Sequence, residues 1–213
     1  MRNGRSETER RSKRRRRRIQ IVVVYVAIAV GLAWFFESQA TTTIIFVRHA
    51  EKALTPPEDP DLSPAGRARV LELTRQLVDA DVVAGVDAIY STPSKRTIET
   101  ARPLAEALKL PINRYDPDNN EAVLEKILKE HKGKIILVVG HSDTIPGLIA
   151  DLGASKKVPP IDEQEYDNIY VISIPWFGKT KTIRLRYGEP YTGNVSESSE
   201  AMIGTLPQEQ PRH

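Results

Sequence analysis

Three short polar clusters in this sequence each follow an apolar run of strand type. Arg48-His49-Ala50-Glu51 follows TTTIIFV, Ser91-Thr92-Pro93-Ser94-Lys95-Arg96 follows the run from Asp87 to Tyr90, and Gly140-His141-Ser142 closes KIILVVG. Open α/β sheets bind ligands just beyond the carboxyl ends of their strands, so the three clusters are placed to converge. The chain has four histidines, and two of them, His49 and His141, fall at strand ends that would be neighbours in such a sheet. Two imidazoles with two guanidiniums, Arg48 and Arg96, suit phosphoryl transfer through a covalent phosphohistidine. Guanidinium forks hold the equatorial phosphate oxygens while an imidazole nitrogen attacks in line. That chemistry needs neither metal nor cofactor. A zinc site fits less well, because adjacent arginines repel a dication and no HExxH spacing or third ligand is present.

The elements that must position these residues follow from the hydropathy pattern. TTTIIFV and KIILVVG are continuous β-branched runs of the kind buried on both faces of a sheet. Pro64 to Asp79, Pro93 to Leu108, Asn119 to Glu130 and Ile145 to Asp151 have helical spacing, with Pro103 a kink or boundary. Asp87 to Tyr90 and Ile112 to Tyr115 read as further strands. Tyr170 to Ile174 and Thr182 to Tyr187, around Trp176-Phe177-Gly178-Lys179, read as an antiparallel hairpin at a sheet edge. The alternation predicts a three-layer α/β/α sandwich, mostly parallel with an antiparallel edge.

In VRHAEK, IYSTPSKRTIETA and ILVVGHS the chain resembles the histidine phosphatase superfamily, whose fold is phosphoglycerate-mutase-like. The likeness covers about residues 43 to 187 and is nearest to small bacterial members of the first branch, which include phosphohistidine protein phosphatases and periplasmic sugar-phosphate phosphatases. It implies that His49 is the phosphorylated nucleophile, that Arg48 and Arg96 bind phosphate, and that His141, with Ser142 beside it, completes the substrate pocket. Ala50 stands where the superfamily usually has glycine. The first branch commonly supplies an acid after the third strand, where this chain offers Asp116, Asp118 and Glu121; Asp116 is the expected proton donor and Asp143 its competitor. Glu51 is expected to orient His49 or to pair with Lys52.

The 213 residues allow one domain with appendages, and the absence of cysteine excludes disulfide frameworks and thiolate nucleophiles. Residues 1–18 hold ten Lys/Arg and two Glu, leaving 21 basic against 26 acidic side chains for the rest. The basic character therefore belongs to a tail. After Lys13 and five arginines comes an uncharged run, 19–36, of membrane-spanning length, with Trp34 near its far end. Positive charge before the span predicts a cytoplasmic tail, 1–18, and a single-pass signal anchor that leaves the domain, 41–187, on the translocated side, periplasmic or extracellular. A cleaved signal peptide is the rival, since Ser38-Gln39-Ala40 would suit a signal peptidase. Residues 188–213 have no period and predict a disordered tail. The Asn194 sequon and the Gly178-Lys179-Thr180 likeness to a phosphate loop carry no weight.

The expected function is hydrolysis of a phosphomonoester or phosphohistidine by a metal-independent phosphatase. Its substrate would be a phosphorylated protein or an envelope sugar or lipid phosphate, the glycolipid being attractive for its location. The alternatives are a mutase-type phosphotransferase and a catalytically silent, membrane-tethered interaction module. Nucleic acid is not expected as a partner, because the domain is acidic.

Overall fold

The computed structural model describes residues 3–37, 41–79, 85–154 and 158–192. The alternative cleavage site at 38–40 and most of the expected C-terminal tail, 193–213, lie outside the described residues.

A six-stranded sheet carries the domain. Its strands are β1 (Thr42–Arg48), β2 (Ala88–Ser91), β3 (Ile112–Arg114), β4 (Ile135–Gly140), β5 (Asn168–Ile174) and β6 (Lys181–Arg186), in the order β3-β2-β4-β1-β5-β6. The first four run parallel; β5 pairs antiparallel with β1, and β6 antiparallel with β5. The long apolar runs are central because both of their faces are covered. Side chains alternate across β1: Ile44 and Phe46 join Val123, Ile127 and Leu148, whereas Ile45 and Val47 join Leu73, Ala101 and Leu104. Helices α4 (Asn120–Glu130) and α5 (Ile145–Asp151) therefore cover one face, and α2 (Pro64–Asp79) and α3 (Lys95–Leu108) the other. The α/β/α sandwich with an antiparallel edge is the observed fold.

Pro103 does not end its helix. α3 continues through it, since Ala101, Leu104 and Ala105 are buried on the sheet and their contacts hold the turn despite the missing donor. One glycine is required by space. A Cβ on Gly66 would lie 2.3 Å from the Glu51 carbonyl oxygen, so α2 can approach the loop after β1 only without a side chain there.

Before the sandwich lies α1 (Asn3–Glu37), preceding β1. It does not break at the boundary between charge and hydropathy, as arginine is itself a good helix former. Its segment Lys13–Phe35 is long and apolar enough to cross a membrane and is not buried within the protein.

Candidate active site

Parallel pairing of β1 with β4 sets Arg48 opposite Gly140, and pairing of β2 with β4 sets Ser91 opposite Val139. The three polar clusters thus meet at one edge of the sheet. The His49 amide continues the ladder by donating to the Gly140 carbonyl at 3.0 Å. The rings of His49 and His141 stand edge to face, with centroids 5.4 Å apart. Arg48, His49, Arg96, His141 and Ser142 all line one cavity of about 570 Å³. Lys52, Ser94, Thr144 and three carboxylates, Asp118, Asp143 and Glu163, complete its wall together with Pro117.

Backbone geometry fixes the protonation of His49. Its Nδ1 lies 2.8 Å from the Ala50 carbonyl oxygen, which can only accept, so the ring hydrogen sits on Nδ1 and the lone pair on Nε2. Burial first, then Arg48, the ring of His141 and Arg96, push the His49 pKa down to about 3 against the opposing Ala50 bond. The imidazole is consequently neutral and nucleophilic across the physiological range. Ala50 is well accommodated: its amide donates to Thr100 Oγ1 at 3.0 Å and its methyl group packs with Leu62 and Val70.

His141 is held by a hydroxyl relay. The single Thr97 hydroxyl hydrogen faces the carbonyls of Thr92 and Ser94 at 3.0 and 2.8 Å, which can only accept it. Thr97 Oγ1 must then accept from the Thr92 hydroxyl at 2.8 Å, and Thr92 Oγ1 accepts from His141 Nε2 at 2.9 Å. The relay places a hydrogen on Nε2 and leaves Nδ1 outside it. Burial, and then Arg96, lower the His141 pKa.

Arg48 is clamped from a segment more than a hundred residues away. Its Nη1 donates to the carbonyls of Asp162 at 2.6 Å and Glu165 at 3.2 Å, and Tyr166 lies 4.3 Å from the guanidinium carbon, ring face towards it. The same tyrosine is 5.8 Å from His49, ring centre to ring centre. Arg96, at the start of α3, is held more loosely by Asp59 at 3.9 Å, a carboxylate that also accepts from the Lys95 amide. Nε of both arginines is buried with no hydrogen-bond partner, so neither guanidinium is saturated by the protein.

Three acidic side chains that the sequence puts forward lie off the cavity wall. Asp116 is not on the cavity wall; its Oδ1 accepts from the Asp118 amide and closes its own turn, which brings Asp118 forward instead. Glu121 lies in the first turn of α4 and is also off the wall. Glu51 neither orients His49 nor pairs with Lys52. It accepts from Arg69 Nε at 2.7 Å, and Arg69 also holds the Tyr187 and Glu189 carbonyls, tying the loop after β1 to the end of the domain. The sequence does not single out Tyr166, Asp59 or Glu163; an aromatic set in the acidic loop before β5 is the one signal that draws attention to Tyr166.

The sequence around the site and the fold are similar to known proteins. The family model described as the histidine phosphatase superfamily, branch 1, matches residues 44–121. Those residues carry the signature of the histidine phosphatase superfamily, branch 1. Solved structures are similar in fold. Protein histidine phosphatase SixA complexed with tungstate is similar at 18% identity and TM-score 0.54, covering 68% of this chain and 96% of that one. Phosphoglycerate mutase from Bacillus anthracis str. Sterne aligns at 17% identity and TM-score 0.55, covering 70% and 94%. Phosphoserine phosphatase from Entamoeba histolytica, in complex with 3-phosphoglyceric acid, aligns at 16% and 0.51, covering 70% and 98%. A comparison with curated proteins yields no match.

The depressed histidine pKa values have a consequence for stability. Above pH 6.5 the imidazoles are neutral whether the chain is folded or not. Below it the unfolded chain takes up protons that the folded one refuses, so stability falls with pH down to about 3 for His49. His49 should cost about 2 kcal/mol at pH 5, from 1.4 kcal/mol per pH unit, and the lowered pKa of His141 acts in the same direction. Denaturant titrations at pH 7 and pH 5 should show this loss, and His49→Asn should reduce it; an unchanged difference would contradict the assignment.

Proposed function

We propose that the domain is a phosphatase that hydrolyses a phosphomonoester or phosphohistidine through a phosphate carried on His49. The observation that supports this best is the His49 tautomer: the Ala50 carbonyl holds the hydrogen on Nδ1, and the other nitrogen belongs to a cavity lined by Arg48, Arg96 and His141. In the first step Nε2 bonds to phosphorus as the bond to the leaving group breaks, and a carboxylic acid of the wall gives that group its proton. In the second step water attacks phosphorus, the P–N bond breaks, and the same carboxylate takes the water's proton. The two guanidiniums carry the transition-state charge, so no metal is needed for that purpose. His141 donates to a phosphoryl oxygen through Nδ1 once the phosphate dianion has drawn a second proton onto its ring.

Turnover of the full chain in detergent on a panel of phosphate esters and a phosphohistidine peptide tests the reading, and no turnover on any member would count against it. The same panel locates the acid. Asp118 and Asp143 line the cavity and Asp116 does not. Asp118→Asn or Asp143→Asn should therefore slow an alkyl phosphate by roughly 100-fold or more while a nitrophenyl phosphate changes little. Asp116→Asn should not show that split; if it alone does, the acid has been misplaced.

The reading includes the chain's position. The apolar run 19–36, most of it within the candidate segment Lys13–Phe35, serves as the anchor, with the basic tail, 1–18, in the cytosol and the domain on the translocated side. Protease added outside spheroplasts should digest the domain. Complete protection until lysis would overturn the topology, and a soluble product beginning at Thr41 would mark a cleaved signal.

A further inference from the structure

The hairpin between β5 and β6 has no part in the chemistry proposed above. Because β5 runs antiparallel to β1, Ile174 pairs with Thr42, which sets the hairpin tip at the amino-terminal edge of the central strands. The cavity opens at the other edge, beyond Arg48. The tip exposes two large aromatic side chains, Trp176 at 56% and Phe177 at 86%. Such a pair is costly to leave in water unless something covers it. The Trp176 ring meets the Phe35 ring edge to face, with centroids 5.8 Å apart, and Phe35 is the last residue of the candidate span. Trp34, beside it, is 73% exposed. The tip is therefore continuous with the end of the apolar helix, at the depth where tryptophan belts and lysines mark a bilayer boundary. Charge agrees with this. From Pro175 to Lys181 the tip carries Lys179 and Lys181 and no acidic residue, although the chain beyond residue 18 carries 26 acidic side chains.

We propose that Trp176 and Phe177 seat the domain on the surface of the bilayer that α1 crosses, with the amino-terminal edge of the sheet facing the lipid and the phosphate cavity facing water. This rests on the reading of α1 as a membrane span. The strand from Thr42 to Arg48 separates the two edges by about 20 Å at 3.3 Å per residue. A seated domain holds its cavity that far from the headgroups, beyond the about 8 Å screening length of physiological salt. The substrate class that fits is a phosphoryl group carried by a water-borne protein or metabolite. Phosphate on a lipid headgroup of the same membrane lies at the wrong edge.

The chain's two tryptophans separate this proposal from the reading on which it rests. Full-length Trp34→Phe leaves Trp176 as the sole reporter, and Trp176→Phe leaves Trp34. Each is reconstituted in phosphatidylcholine and phosphatidylglycerol vesicles with or without bromine on the acyl chains, which quenches indole fluorescence on contact. Both reporters should lose fluorescence roughly twofold in brominated vesicles, as expected of interfacial indoles. Phe177→Ser together with Lys179→Ser should weaken quenching of Trp176 while sparing that of Trp34. Quenching of Trp34 with none of Trp176 would overturn the seat and leave the span intact. Quenching of neither would overturn both.

Discussion

His49→Ala should have no measurable turnover on any phosphate ester or phosphohistidine substrate that the unaltered protein hydrolyses. The expectation follows from geometry. Among the residues of the cavity wall, His49 alone has a neutral nitrogen fixed in its tautomer directly by a backbone carbonyl, in a cavity it shares with two unsaturated guanidiniums. His141→Ala should itself slow turnover, because a donor to the phosphoryl oxygens is lost, yet still allow slow labelling of His49. A His49→Ala preparation free of host phosphatase that keeps its activity would return the domain to the class of binding modules.

The second large effect is expected at the arginines. Arg96→Ala should lower kcat/KM by two or more orders of magnitude, the scale found when one preorganised transition-state donor is removed. Lysine at either arginine should restore little, since an ammonium lacks the planar fork. The two sites should differ in stability. Among the described residues the Arg96 side chain is tied by Asp59 alone, at 3.9 Å, so Arg96→Ala should keep the thermal midpoint near that of the unaltered protein. Arg48 satisfies the carbonyls of Asp162 and of the buried Glu165 and stacks on Tyr166, so Arg48→Ala should lose stability as well as activity, by about 1–3 kcal/mol for an unpaired buried carbonyl. Steady-state kinetics beside thermal melts would check both. Equal melting losses at the two positions would contradict the clamp.

The division between what was legible in the sequence and what was not has a physical basis. Strands β1 and β4 could be read, and read as neighbours, because both faces of each are buried and the runs TTIIFV and IILVVG leave no polar alternation. Helix α2 could be bounded at Pro64 and Asp79 since a single apolar stripe faces the sheet. The residues proposed to carry the chemistry lie at or just after strand ends, where a histidine or arginine stands out from an apolar run. Their supports do not. Arg48 is held by main-chain carbonyls 114 and 117 residues away, and a carbonyl has no residue type to read. Asp116 and Asp118 are two residues apart in one turn, and only the turn's own hydrogen bond decides which of them borders the cavity. Glu51 and Arg69 meet because Gly66 lets α2 close on the loop after β1, a matter of approach distance rather than pattern. The hairpin was legible as a hairpin, but the aromatic pair at its tip gained meaning only when Phe35 was found against Trp176.

The covalent intermediate is the central claim, and trapping it tests that claim most directly. A phosphorylated imidazole survives alkali and is lost in acid. Full-length protein mixed with a turned-over substrate and quenched in alkali should show, by mass spectrometry of its peptides, one phosphate on His49. The mark should vanish on acid treatment and be absent from His49→Ala. Rapid turnover with no phosphate on His49 at any quench time, or an alkali-stable phosphate on another residue that persists in His49→Ala, would contradict the account.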